Sequence, residues 1–191
     1  MEEFEVTFLE IDVGAVEKKL LEIGAEKKGE YHYKRALFDY PDFRMNQKHS
    51  WLRLRTNGTE TTLAYKERLG VQSGDGGVSD EGMKEIELNV DSYDKTHELL
   101  KAVGFVIKRE EENKRIQYKK GDTTFDIDSW PQIPTYLEVE SSSLEEARKV
   151  ARLIGFNPED GLIFSPKQAY QKYGYNLDDY SSITFDKFTK K

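Results

Sequence analysis

Acidic residues two positions apart recur in four stretches of the chain that are typical of β-strands. The pairs are Glu3 and Glu5, Glu85 and Glu87, Asp126 and Asp128, and Glu138 and Glu140. Because successive side chains of a strand point to opposite faces, both members of a pair lie on one face, and the apolar residue between them lies on the other. The polar face of an antiparallel sheet is commonly exposed to water, so four solvated strand faces are the simplest interpretation.

Basic residues follow the same alternation. WLRLRT places Arg53 and Arg55 on one face, and Lys66 and Arg115 hold similar positions in TTLAYKER and NKRIQY. If these polar faces turned inward, carboxylates and cations would be removed from bulk water, which is costly unless they pair with each other or with ions. A polyanion with divalent metal ions would satisfy both sets, because carboxylates bind the metal and cations bind phosphate oxygens.

The composition restricts the class of protein. The chain has 191 residues, which suggests one domain, and its 12% aromatic content argues against disorder. A net charge of -7 disfavours nonspecific binding to nucleic acid or to anionic membranes. The sequence contains no cysteine, which excludes disulfides and thiolate sites. No apolar run is long enough to span a bilayer and the N-terminus is acidic, so we expect a cytoplasmic protein.

Three segments have the apolar period of a helix and end in a glycine. They are VEKKLLEIGAEKK, HELLKAVGFVIKR and ARKVARLIGFNPE. We expect left-handed C-caps at Gly24, Gly104 and Gly155, and N-caps at Asp12, at Asp91 or Ser92, and at Ser143. A last helix is expected from about residue 166 to 173.

Eight strands are predicted between and beside these helices. Their approximate ranges are 2–10, 29–40, 50–56, 61–68, 83–90, 105–119, 123–130 and 136–141. Asn57-Gly58 predicts a two-residue hairpin turn, Lys120-Gly121-Asp122 predicts another turn, and residues 69–82 predict a loop or lid. The pattern favours an α+β fold: an antiparallel β-barrel of about eight strands, forming a tunnel, with amphipathic helices packed outside. We expect this domain over residues 1–176 and a loose tail over residues 177–191.

The ordered series of motifs resembles the CYTH, or triphosphate tunnel metalloenzyme, superfamily. The series is Glu-x-Glu, Arg-x-Arg, a strand lysine, Glu-x-Glu, a later arginine, an aspartate before Trp-Pro, and a final Glu-x-Glu. The resemblance covers about residues 2–175 and implies a divalent metal ion, Mg²⁺ or Mn²⁺. It also implies a role for each matching position. The implied metal ligands are Glu3, Glu5, Glu138 and Glu140; the implied phosphate ligands are Arg53, Arg55, Lys66, Arg115 and Lys167; and the residues implied to orient water or a second metal are Glu85, Glu87 and Asp128.

Two positions depart from the family pattern. The first-strand signature of the family usually continues with a lysine, and here Thr7 stands in its place; Asn113 likewise offers no charge two residues before Arg115. Three functions stay open on the sequence alone. The first is metal-dependent hydrolysis of a triphosphate, either inorganic tripolyphosphate or an organic one such as thiamine triphosphate or a nucleoside triphosphate. The second is an adenylyl cyclase that forms cyclic AMP and pyrophosphate, and the third is a noncatalytic polyphosphate or nucleotide binding module. The expected partner is the small-molecule triphosphate, with no nucleic acid and no membrane, and a homodimer is left open.

Overall fold

The structure, a computed structural model, describes residues 4–68, 83–163 and 165–191. Its strands are β1 (Phe4–Phe8), β2 (Glu26–Asp39), β3 (Ser50–Thr56), β4 (Thr61–Arg68), β5 (Met83–Asn89), β6 (Val106–Lys120), β7 (Thr123–Ser129), β8 (Tyr136–Ser141), β9 (Tyr180–Ile183) and β10 (Phe188–Lys190). Its α-helices are α1 (Val13–Glu22), α2 (Arg44–Gln47), α3 (Tyr93–Ala102), α4 (Leu144–Leu153) and α5 (Pro166–Lys172). The predicted α+β class, with antiparallel strands and amphipathic helices, is confirmed, while closure into a tunnel stays a prediction.

The chain divides into two compact units. The first unit comprises Met1–His32 and Asn113–Leu177, and the second comprises Tyr33–Glu112 and Asp178–Lys191. Strands β2 and β6 therefore contribute residues to both units. Whether residues 1–176 form one domain stays a prediction.

An antiparallel sheet in the order β1-β8-β7-β6 forms the first unit. Its apolar face is largely buried and packs with α1 and α4 in one hydrophobic core. Val6 pairs with Val139, and Val139 in turn lies opposite Phe125, so one layer of the core comes from three strands. The strand period thus assigns the acidic residues to the opposite face, as the sequence predicts.

Capping residues fix where the helices of the first unit begin and end. The side chain of Asp12 accepts a hydrogen bond from Ala15 N, and that of Ser143 accepts one from Glu146 N. Gly24 and Gly155 follow α1 and α4 with φ of 77° and 93°, the left-handed conformation that glycine adopts without strain. These predictions are confirmed, and so is the Ser92 alternative for the N-cap of α3 in the second unit.

An antiparallel sheet in the order β2-β3-β4-β5 forms most of the second unit. Ala36, Phe38 and Leu54 on its apolar face pack with Leu100 of α3 in a second core. The hairpin between β3 and β4 differs from the predicted two-residue turn, because β3 ends at Thr56 and β4 begins at its partner Thr61. The Asn57 carboxamide accepts hydrogen bonds from the backbone N–H groups of residues 59 and 60, which stabilises a four-residue loop instead.

The expectation of a loose C-terminal tail is wrong for most of residues 177–191. Strands β9 and β10 form an antiparallel hairpin, and β9 also pairs in parallel with β6 at Glu110 and Glu111. Tyr180 and Ile183 are buried, and the ring of Phe188 lies 4.4 Å from that of Tyr180. The apolar contacts of these residues supply the order that the weak periodicity of the segment does not predict.

Two further expectations concern a predicted loop and membrane-spanning segments. The predicted loop over residues 69–82 lies outside the described residues. None of the helices in the described ranges has the length and apolar character that a membrane span requires.

Candidate functional site

Five carboxylates lie on the polar face of the first unit and form what we name the acidic cluster. Its members are Glu5, Asp126, Asp128, Glu138 and Glu140. The strand register brings them together, because Glu5 lies directly opposite Glu140 and Asp126 lies directly opposite Glu138. Like charges at opposed positions destabilise an antiparallel pair. Glu3, the other carboxylate predicted to bind metal, lies outside the described residues.

The interpretation of this face as a solvated surface is wrong for its central members. Asp126, Asp128 and Glu138 expose 5%, 1% and 9% of their surface. A buried carboxylate that lacks a compensating partner loses several kcal/mol of hydration, so this arrangement requires a nearby cation.

Arg115 of β6 supplies that cation. Its Nη1 donates to Asp126 at 2.5 Å, its Nη2 donates to Glu138 at 2.9 Å, and its Nε donates to Asp128 at 2.8 Å. A further hydrogen bond joins Nη2 to the second oxygen of Asp128. One planar guanidinium thus joins three carboxylates from β7 and β8. Its predicted role as a phosphate ligand stays a prediction.

Two amide side chains complete these contacts; the sequence places both on the face of Arg115 but assigns neither a role in the site. The Asn113 carboxamide donates to Asp128 at 3.1 Å, and the Gln117 carboxamide donates to Asp126 at 2.9 Å. Both lie two residues from Arg115 on β6 and therefore on its face. The alternation around Arg115 is the signal that identifies them.

The electrostatics of the acidic cluster indicate an excess of negative charge. Burial raises the pKa of Glu138 well above its usual range, and Asp128 and Glu5 raise it further. Burial also raises the pKa of Asp126, despite its hydrogen bonds to Arg115 and Gln117. Although burial alone would lower the pKa of Arg115, the carboxylates of Asp128, Asp126 and Glu138 raise it well above its usual range. The charge of Arg115 therefore does not offset the effect of burial on the pKa values of Glu138 and Asp126.

The residues present fit a divalent metal ion by their chemistry. Clustered carboxylates are the donors that Mg²⁺ and Mn²⁺ prefer. Thr7, opposite Glu138 in the register, is 1% exposed, and its Oγ1 has no hydrogen-bond partner among the described residues. A metal with its water ligands would supply both the missing charge and the missing partner. In the same ranges of the chain, no group of three or more Asp, Glu or His side chains is arranged to hold a metal ion. Metal binding by these carboxylates would therefore require side-chain rearrangement, including of those that Arg115 bonds.

The polar face of the second unit carries what we name the basic cluster, Arg53, Arg55 and Lys66. Arg53 Nη2 lies 3.1 Å from Glu87 and 3.4 Å from Glu85, and Lys66 Nζ lies 3.0 Å from Glu85. Arg55 is more distant from Glu87, at 3.9 Å. The predicted residues of β3, β4 and β5 are therefore brought together.

Mutual repulsion within the basic cluster is visible in its pKa values. Burial lowers the pKa of Arg53, and the neighbouring Arg55 lowers it further. Burial and the charge of Arg53 likewise lower the pKa of Lys66. Arg53 Nε is also buried, with no hydrogen-bond partner in the described part of the chain. An anion at this face would relieve the repulsion and could accept from Arg53 Nε.

Lys167, the last predicted phosphate ligand, lies in the first turn of α5, outside the strands that carry either cluster. Its phosphate-binding role stays a prediction, as do the catalytic roles of Glu85, Glu87 and Asp128.

Comparison with known proteins agrees with this architecture. The CYTH domain family model matches residues 1–159. A protein from Pyrococcus horikoshii has a TM-score of 0.65 at 24% identity, over 88% of this chain and 99% of that chain. An adenylate cyclase candidate from Vibrio parahaemolyticus has a TM-score of 0.71 at 15% identity, over 88% of this chain and 97% of that chain.

A third structure is that of an adenylyl cyclase candidate from Hippeastrum, for which a dominant triphosphatase activity is described. It has a TM-score of 0.61 at 18% identity, over 91% of this chain and 96% of that chain. At these identities the three likenesses show the fold alone. No curated protein matches the sequence.

Proposed function

Because the chain belongs to the CYTH domain family, we propose that it hydrolyses a triphosphate in a reaction that depends on Mg²⁺ or Mn²⁺. The proposal rests on one observation: carboxylates cluster on the polar strand face of the first unit, and cations cluster on the polar strand face of the second unit. A divalent cation matches the acidic cluster, and a triphosphate matches the basic cluster. The triphosphatase activity described for the Hippeastrum protein favours hydrolysis over cyclisation.

The acidic cluster would hold the metal through Glu5, Glu138 and Glu140, with Glu3 as a further ligand. When bound, the metal supplies a positive charge for phosphate oxygens and coordinates water. Asp128 keeps its hydrogen bonds to Arg115 and Asn113, so its carboxylate is held in a defined orientation. A carboxylate fixed in this way is suited to accept a hydrogen bond from the attacking water.

The basic cluster would bind the phosphate oxygens and stabilise the charge that develops on them during transfer. Arginine is suited to this because its planar donors bind two oxygens at once. Glu85 and Glu87 hold Arg53 and Lys66 in place in the ligand-free protein. Binding of an anion would loosen these ion pairs, which leaves a carboxylate of Glu85 or Glu87 available to orient water.

The proposal is tested by a panel of tripolyphosphate, thiamine triphosphate and ATP, each with Mg²⁺, Mn²⁺ or EDTA. Orthophosphate, pyrophosphate and cyclic AMP are quantified together. We expect metal-dependent release of orthophosphate, reduced on the order of 10²-fold or more by Glu138→Gln or Arg53→Gln. Glu145→Gln, an exposed position on α4, is the matched control and should leave the rate unchanged.

The products separate the alternatives. Pyrophosphate together with cyclic AMP identifies a cyclase, and tight tripolyphosphate binding without any product identifies a binding module. Either result refutes hydrolysis, as does a rate that is the same in Glu138→Gln, Arg53→Gln and wild type.

A further inference from the structure

A small cavity lies on the polar face of the second unit, beside the hairpin of β3 and β4. Two of the residues that line it, Arg55 of β3 and Thr62 of β4, are directly opposite each other in the strand register. The side chains of such a pair share a face and have Cβ atoms roughly 5 Å apart, so one small ligand can contact both. The cavity thus joins the basic cluster to a hydroxyl outside it. Its volume is about 50 Å³, and its other lining residues are Tyr33, Thr56, Asn57 and Glu60.

The guanidinium of Arg55 has N–H donors available at this cavity. Its Nη2 lies 3.9 Å from Glu87, beyond hydrogen-bond distance, and it makes no hydrogen bond within the described residues. Arg53 differs, because its Nη2 donates to Glu87 at 3.1 Å. The ring of Tyr33 lies 5.2 Å from the guanidinium carbon of Arg55 and attracts it without accepting a conventional hydrogen bond. Arg55 is therefore held in position while its planar donors stay free for an oxyanion.

The hydroxyl of Thr62 is buried without a hydrogen-bond partner. Its Oγ1 has none in the described part of the chain, whereas Oγ1 of the preceding Thr61 donates to Thr56 at 3.1 Å. A buried donor that stays unpaired costs about 1–3 kcal/mol. Valine has nearly the same shape and suits a strand equally well, so the hydroxyl adds nothing to the stability of β4 by itself. An acceptor oxygen of a ligand beside Arg55 would satisfy it.

The size and lining of the cavity favour a phosphate group as that ligand. A volume of about 50 Å³ is far below the roughly 300–1,000 Å³ of sites that enclose drug-sized molecules, so a large organic group is excluded. The Asn57 Oδ1 accepts from the backbone N–H groups of residues 59 and 60, and Thr56 Oγ1 accepts from Gly58 N, so both oxygens are already paired. Glu60 is exposed, so water screens its charge.

We propose that Thr62 is a phosphate-binding residue that, together with Arg55, holds the terminal phosphate of a phosphate chain. A terminal phosphate has three acceptor oxygens, one more than a phosphate within the chain. It can therefore accept from two N–H groups of Arg55 and from the hydroxyl of Thr62 at once. The inference rests on the proposed function for the identity of the ligand as a chain of phosphates, and it does not require that the chain be hydrolysed.

The first test measures binding of inorganic tripolyphosphate by calorimetry in EDTA, together with the thermal midpoint of the ligand-free protein. Thr62→Val should weaken binding about 10-fold or more, because a hydrogen bond to a charged group is lost. Thr62→Ser keeps the hydroxyl and should bind within about 3-fold of wild type. The matched control is Thr59→Val, which removes an exposed hydroxyl from the same hairpin and should leave binding unchanged.

The thermal midpoint separates binding from a structural role. Thr62→Val removes an unpaired buried hydroxyl, so the ligand-free midpoint should stay unchanged or rise. A lowered midpoint together with weaker binding indicates a structural role and overturns the inference. Unchanged affinity in Thr62→Val also overturns it, as does a Thr62→Ser variant that loses as much affinity as Thr62→Val.

The second test asks which phosphate the cavity holds. Diadenosine triphosphate has an adenosine on both ends of the chain, whereas ATP and tripolyphosphate keep a terminal phosphate. Wild type should bind diadenosine triphosphate at least about 10-fold more weakly than ATP, because the Arg55 and Thr62 contacts are lost. Equal affinity for the two refutes the assignment to the terminal phosphate.

The outcomes keep this inference apart from the proposed hydrolysis. Binding of tripolyphosphate without any turnover, weakened by Thr62→Val, supports the inference and refutes hydrolysis. Turnover with a tripolyphosphate affinity that Thr62→Val leaves unchanged overturns the inference and supports hydrolysis. An absence of both binding and turnover in the wild type overturns both.

Discussion

Replacement of Arg115 by glutamine tests whether this residue holds the acidic cluster together. In the ligand-free protein the guanidinium bonds Asp126, Asp128 and Glu138, and these carboxylates are at most 9% exposed. Removal of one partner from a buried ion pair costs roughly 3–5 kcal/mol, because the other charge is left without compensation. The Arg115 side chain is 25% exposed, which admits some solvent screening, so we expect about 3 kcal/mol.

The assay is urea unfolding of the metal-free protein in EDTA at neutral pH. Lys119→Gln is the matched control, because it removes the same charge from an exposed position of the same strand. It should change the free energy of unfolding by about 0.5 kcal/mol or less. The loss in Arg115→Gln should become smaller in mild acid, since Glu138 and Asp126, whose pKa values burial raises, become protonated and lose charge that Arg115 compensates.

Addition of Mg²⁺ extends the test to the acidic cluster. If these carboxylates bind the metal, saturation should stabilise Arg115→Gln more than wild type, because the metal then replaces the missing cation. At a hundred times the dissociation constant, the stabilisation from binding is about 2.7 kcal/mol. A loss below about 1 kcal/mol in EDTA would refute the structural role of Arg115. That result is expected if Arg115 only contacts phosphate in the substrate complex and does not stabilise the carboxylates.

Three further variants test the electrostatics and the packing of the first unit. The raised pKa of Glu138 means that the folded state binds a proton more tightly than the unfolded state, so stability is lost as pH rises above about 4.5. In EDTA, the free energy of unfolding of Glu138→Gln should therefore fall less steeply from pH 4.5 upwards than that of wild type, and an equal slope contradicts the pKa assignment. A Cβ added at Gly161 would lie 2.2 Å from Val6 Cγ1, so Gly161→Ala should destabilise by about 1–3 kcal/mol in the same assay. Gly14 lies in α1, and a Cβ added there would lie 3.5 Å from Asp12 Oδ1, so Gly14→Ala should instead be stabilising; equal effects of the two substitutions would contradict the packing argument.

The sequence predicts the faces of the strands because the strand period of two residues is local. Glu5 and Thr7 share a face of β1, and Val6 lies in the core on the other, as the alternation requires. The caps at Asp12 and Ser143 are predictable for the same reason, since each depends on a hydrogen bond that spans three residues. Local rules of this kind determine which residues belong to a face.

The partners of each side chain depend on register and are only partly predictable. The turn predicted at Lys120-Gly121-Asp122 places Arg115 and Asp126 or Asp128 on neighbouring strands, and the pairing of β6 with β7 confirms this. The contact with Glu138 of β8, 23 residues away, has no such local signal. The hairpin of β9 and β10 likewise depends on a parallel contact with β6, from Ser182 to Glu110. Contacts between residues that are distant in the sequence depend on how whole elements pack, which the pattern of a single sequence does not specify.

Thr7, where the chain departs from the family pattern, lies beside the acidic cluster. A lysine in place of Thr7 would lie directly opposite Glu138, which already bonds Arg115. A second cation there would neutralise a carboxylate that we propose as a metal ligand, and it would compete with the metal for that ligand. With the uncharged Thr7 at this position, no side chain of β1 competes with the metal for Glu138, so the departure from the family pattern is compatible with the proposed metal site.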